Sequence, residues 1–175
     1  TPEPTPPPKQ EQKEPELMFL VGADRNRTYE FYPETFYDAV VQGCADALRN
    51  SSAGVDASNR DFPRGEAIKT AKNSAKTYVV VLELKTQTMT GSPTSTDYDQ
   101  IEVEYVVFRP GTGKVATSGR TYQQMNRAGP LIVGPPTTRG STSGLYREAL
   151  LKRAGEDAGE RILKSMNLGA LPRTH

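Results

Sequence analysis

The sequence predicts an α+β domain: a mostly antiparallel sheet with helices packed on one face. Three observations carry this. Two apolar runs, 77–84 and 101–108, follow one another with only a polar linker between them, so they are strands with no crossover helix. The turn Arg109-Pro110-Gly111-Thr112-Gly113-Lys114 sends the second run into a returning strand. Stretches near each end of the chain carry apolar residues at helical spacing.

The chain has 175 residues, a length suited to one domain with flanking segments. Residues 1–16, TPEPTPPPKQEQKEPE, combine prolines with charged and polar residues alone. Such a segment has no apolar surface to offset the entropy of ordering, and its prolines favour extended polyproline II. It reads as a disordered, semi-rigid tether. Residues 17–168 read as a single domain and 169–175 as a disordered tail. A start at Thr rather than Met implies removal of an upstream piece by processing or cloning.

Leu17-Met18-Phe19-Leu20-Val21 is short and continuously apolar, the pattern of a strand buried on both faces. Pro33 and Glu34 then start a helix over 34–50: proline lacks only a donor that would be unpaired anyway, and glutamate suits the positive end of the helix dipole. Phe36, Val40, Cys44 and Leu48 recur every four residues and form its buried stripe. Cys44 therefore reads as a small core residue rather than a nucleophile. Residues 50–65 are turn-rich and read as loop, with Val55 the candidate for a short edge strand. A second, short helix is expected over 66–75.

Thr77 to Leu84 is rich in β-branched residues and forms the clearest strand. In 101–108, Ile101, Val103, Tyr105 and Val107 alternate with Glu102 and Glu104, as in a half-buried strand with a solvated outer face. Residues 115–122 complete a hairpin. A long loop, punctuated by glycine and proline, spans 123–144. Helix resumes over 145–166, with Leu151, Ala154, Ala158, Ile162 and Met166 on one face.

Composition excludes several chemistries. Lys+Arg total 22 against Asp+Glu 21, a net charge of +1 with aromatics at 7%, so neither field nor stacking surface argues for nucleic acid. One cysteine excludes a disulfide framework and a cysteine-rich zinc site. The one histidine is the last residue, His175, which argues against histidine catalysis and metal binding. Gly111-Thr112-Gly113-Lys114 is not a phosphate-binding loop: Phe108 stands where the first glycine is needed, and Val115 follows the lysine instead of Ser or Thr. No catalytic residue, metal site or cofactor is expected.

One asymmetry points to a contact surface. From Tyr105 to Arg147 there is no acidic residue, while Arg109, Lys114, Arg120, Arg127 and Arg139 lie within the stretch. Leu131, Ile132 and Val133 form an apolar trio inside its loop. The trio is either a satellite of the core or an exposed apolar contact ringed by positive charge. These eight residues are the candidate partner contacts. A competing arrangement is a ligand or substrate cleft lined by Tyr29, Tyr32, Arg109 and Arg120, since Arg and Tyr bind anions without histidine.

From about residue 67 to 166 the chain resembles a bacterial envelope domain, that of the TolB amino-terminal domain and the related CsgG, FlgO and LpoB lipoproteins. The resemblance lies in the order of a small helix, AIKTAKNSAK, a strand, TYVVVLEL, a second strand, IEVEYVVFR, a turn and strand, GTGKVATSG, and an Ala-rich helix, LLKRAGEDAGERILKSM. The 123–144 loop is longer and richer in proline than the group's pattern. The resemblance implies a non-enzymatic, extracytoplasmic accessory domain, held in the periplasm or at the outer membrane by its tether. Its implied partners are envelope proteins, with the membrane nearby.

Overall fold

A computed structural model of the chain describes residues 16–25, 32–86, 100–124 and 142–168. Its elements run β1 (Met18–Ala23), α1 (Glu34–Leu48), β2 (Gly54–Asp61), α2 (Arg64–Lys72), β3 (Thr77–Thr86), β4 (Gln100–Phe108), β5 (Val115–Gln124) and α3 (Thr142–Ser165). The strands form one sheet in the order β2-β1-β3-β4-β5. The α+β class holds, and the sheet is mixed rather than mostly antiparallel: β1 pairs in parallel with both β2 and β3, while β3-β4 and β4-β5 are antiparallel.

The alternation of β1, β3 and β4 sorts their side chains to two faces. Phe19 and Val21, Val80, Leu82 and Leu84, and Ile101, Val103, Tyr105 and Val107 meet α1 and α3 in the larger core. On the helix side this core takes Phe36, Val40, Cys44 and Leu48 from α1, and Leu151, Ala154, Ala158 and Ile162 from α3. The helical stripes read from the sequence are thus the packed ones. Each fully buried Leu, Ile or Phe contributes about 1.5–3 kcal/mol relative to an exposed one.

The other face carries Val79, Val81, Val106 and Phe108, covered by Phe62 and by Ala67 and Ala71 of α2. Helices therefore lie on both faces, which corrects the one-sided arrangement expected from the sequence. The connections explain it. The crossover through α1 runs outward to β2, and the crossover through α2 runs back past β1 to β3. Two crossovers of the same hand running in opposite directions put their helices on opposite faces.

Gly54–Asp61 is a strand rather than a loop. Its backbone pairs with β1 from Met18–Gly54 to Val21–Ala57, and the register slips before Ala23–Asp61. An edge strand needs only one paired side, so its polar side chains cost nothing in the ladder.

α1 and α3 touch backbone to backbone. A Cβ on Gly43 would lie 2.0 Å from the Lys152 carbonyl oxygen, and one on Gly155 would lie 2.2 Å from that of Val40. These glycines leave the room the helices need to close on each other.

Candidate contact surface

The β4–β5 connection is the tight turn the sequence implies. Arg109 N–H donates to the Lys114 carbonyl at 2.8 Å and Gly113 N–H to the Arg109 carbonyl at 2.9 Å. Gly111 (φ 77°) and Gly113 (φ 66°) hold the left-handed conformations that close it. The turn docks on the last turn of α2. Gly111 N–H donates to the Ala71 carbonyl at 2.9 Å, and the Gly113 Cα is so near the Lys72 stem that a Cβ there would come within 2.9 Å of Lys72 Cγ. Two segments distant in sequence thus bring the turn that carries Arg109 and Lys114 against the last turn of α2, which carries Lys69 and Lys72; all four cations are exposed.

None of these four cations has an ion-pair partner among the described residues. The bonds from the hairpin to α2 capture an α2 carbonyl, and the lysines suit the negative end of the helix dipole. At the same end of the sheet, Met18 N–H donates to the Lys76 carbonyl at 3.1 Å, so the chain enters β1 beside this cationic pole.

Arg120 lies elsewhere and is engaged. It stands opposite Glu104 across the β4–β5 ladder, and its Nε lies 3.2 Å from both Glu102 Oε1 and Glu104 Oε1. Lys85 pairs with Glu104 from the other side, and Arg64 Nε lies 3.2 Å from Glu83 Oε1. Glu83, Glu102 and Glu104 are all buried. The Glu102/Glu104 face is therefore not solvated as expected from the alternation, but a packed row of paired charges. The contact from Arg120 to Glu102 Oε1 lacks hydrogen-bond geometry, leaving that buried oxygen without a donor. Burial of carboxylates requires such partners.

The Arg/Tyr cleft is not assembled by its described members. Tyr32 is buried in the larger core, edge-on to Tyr37 with ring centroids 6.1 Å apart. It precedes α1 at the carboxyl end of β1, where Arg25 pairs with Glu34 and with Asp38 at 2.8 Å. Arg109 sits at the opposite end of the sheet, following Phe108, which pairs with Val79 near the start of β3. The side chain of Arg120 is on the α2 face. Tyr29, Arg127, Leu131, Ile132, Val133 and Arg139 lie outside the described residues.

Lys69 and Lys72 escaped the sequence reading because they precede the acid-free stretch. Their signal was the basic last turn of α2, meaningful only once the hairpin is known to fold onto it.

Cys44 is fully buried between α1, α3 and the sheet, and burial raises its thiol from the ordinary 9.0 to about 12. Between those values the unfolded chain binds fewer protons than the folded one, so stability falls as pH rises through that range. Thiol labelling is expected only under unfolding conditions, and Cys44→Ala is expected to flatten the alkaline loss in a pH series of melts. Rapid labelling of the native protein at neutral pH would contradict the buried placement.

No family model matches the chain, and no curated protein matches it. Among solved structures it is similar to a PelC dodecamer from Paraburkholderia phytofirmans (16% identity, TM-score 0.45, covering 82% of this chain and 89% of that one). It is also similar to a candidate lipoprotein from Caulobacter crescentus (13% identity, TM-score 0.40, 86% of each chain). A third likeness is to the LpoB C-terminal domain from Salmonella enterica (17% identity, TM-score 0.33, 65% of this chain and 87% of that one). At these identities and TM-scores the likenesses stand as likenesses and carry no weight for function.

Proposed function

We propose that this chain is a non-catalytic, extracytoplasmic accessory domain of the bacterial cell envelope that docks on an acidic envelope component through its cationic pole. The observation that carries the reading is the pole itself. The ionisable groups of the sheet face and of the β1 end are engaged with one another, whereas Lys69, Lys72, Arg109 and Lys114 are exposed and unpaired among the described residues. Charges arranged in this way attract a partner and fix its orientation without doing chemistry on it. The Pro-rich segment lies immediately before β1 in sequence, so tethering there would hold the pole toward the anchor. The resemblance of residues 67–166 to envelope domains supports the choice of compartment.

Fractionation of the source cells, followed by crosslinking and recovery of the native protein, tests this. The protein is expected in the envelope fraction with a discrete crosslinked component, recovered less well as ionic strength rises from low to physiological, where exposed charges are screened beyond about 8 Å. Recovery as a free cytoplasmic protein would end the proposal.

A further inference from the structure

We infer that the acidic component met by the pole is the anionic headgroup layer of a lipid bilayer. The inference rests on the envelope reading for its choice of lipid over an acidic polypeptide, and on the pole's own chemistry for the rest. Three of the pole's four cations are lysines. A lysine ammonium is a hydrated point charge on a flexible stem, suited to diffuse attraction by a layer of many anionic groups rather than to the bidentate contacts a guanidinium fork makes with one carboxylate or phosphate. Exposed basic side chains held near a bilayer surface are each attracted to its anionic lipids, and a local group of four sums that attraction.

The apolar contribution agrees. Val115, next to Lys114 at the base of the hairpin, is 54% exposed and is the exposed large hydrophobic side chain among the described residues. An apolar side chain beside a lysine at the edge of the cationic pole can enter the boundary between headgroups and acyl chains while the ammonium stays with the phosphates. The position of the pole adds a geometric reason. Met18 bonds to Lys76, four residues past Lys72, so a chain held by its N-terminal segment presents this end to whatever holds it. The whole chain carries only +1, so attraction must come from this local cluster and not from net charge.

Co-sedimentation of the full chain with vesicles tests the assignment without any protein partner. Vesicles of phosphatidylcholine with phosphatidylglycerol are expected to bind the protein at low ionic strength, and phosphatidylcholine alone is not. Each basic residue near such a surface contributes on the order of fivefold in partitioning. Reversing Lys72 and Lys114 to glutamate is therefore expected to weaken binding by at least about 25-fold. The same charge change at Lys152 and Arg153, mid-way along α3, is expected to matter far less. Val115→Ser should weaken binding and leave the melting temperature unchanged. Absence of binding to the anionic vesicles, or equal loss in both reversed variants, overturns the inference. Binding to a polyglutamate peptide without binding to vesicles also overturns it, assigning the pole to an acidic polypeptide. That result leaves the envelope reading standing, since fractionation tests it separately.

Discussion

Gly155→Ala is expected to lower the melting temperature by about 6–12 °C, the equivalent of roughly 3 kcal/mol in a domain of this size. The added Cβ would stand 2.2 Å from the Val40 carbonyl oxygen, and the obstacle is backbone, which cannot rotate away. Overpacking generally costs about 1–3 kcal/mol, and a collision between two helix backbones belongs at the top of that range. Gly43→Ala meets the Lys152 carbonyl at 2.0 Å and is expected to behave alike. Gly65, in the first turn of α2, has nothing within 4 Å of where a methyl would stand, so Gly65→Ala is expected to stabilise by up to about 1 kcal/mol. Thermal melts of the three variants check both signs. A neutral Gly155→Ala would show that α1 and α3 are not in backbone contact.

Arg120→Ala is the second large effect, and it separates a structural role from a contact role. Its removal leaves Glu102 buried without a cation among the described residues, while Lys85 still serves Glu104. Breaking a buried pair by losing one partner costs about 3–5 kcal/mol. A smaller loss, about 1–3 kcal/mol, is expected here because the Arg120 side chain is 59% exposed and makes no hydrogen bond to Glu102 Oε1. Adding Glu102→Gln is expected to restore much of the loss, since an amide is far less costly to bury than an uncompensated charge. A double-mutant cycle in denaturant reads the coupling directly. Strict additivity would mean the pair contributes nothing, and a loss of docking without loss of stability would return Arg120 to the contact surface.

The elements most legible in the sequence were those whose apolar pattern is the reason they form. The four-residue recurrence of Phe36, Val40, Cys44 and Leu48, and the alternation of Ile101, Val103, Tyr105 and Val107, each mark a face that is buried. β2 was not legible by that route, because GVDASNRD is held by backbone pairing at an edge and not by side-chain burial. Once β2 is a strand, the order β1-α1-β2-α2-β3 spells two crossover units. Parallel pairing and helices on both faces then follow.

The site was partly legible for a similar reason. The turn at Arg109–Lys114 followed from its glycines, but its company did not. Lys69 and Lys72 join it through the contact of Gly111 with Ala71 and of Gly113 with Lys72, between segments some forty residues apart. Glu102 and Glu104 were misread as solvated because alternation reports which side chains share a face, not what covers them. Their burial depends on cations from β3 and β5 brought alongside by the sheet register.

The claim that the hairpin–α2 end is the working surface is tested most directly by site-specific photo-crosslinking in the source cells. A probe at Thr112, exposed at the tip of the turn, is compared with one at Asp38, exposed on α1 at the other end of the sheet. Envelope-derived adducts are expected from Thr112 and not from Asp38, with their yield falling when Lys72 and Lys114 are reversed to glutamate. Adducts from Asp38 alone, or adducts from Thr112 indifferent to that reversal, would contradict the account.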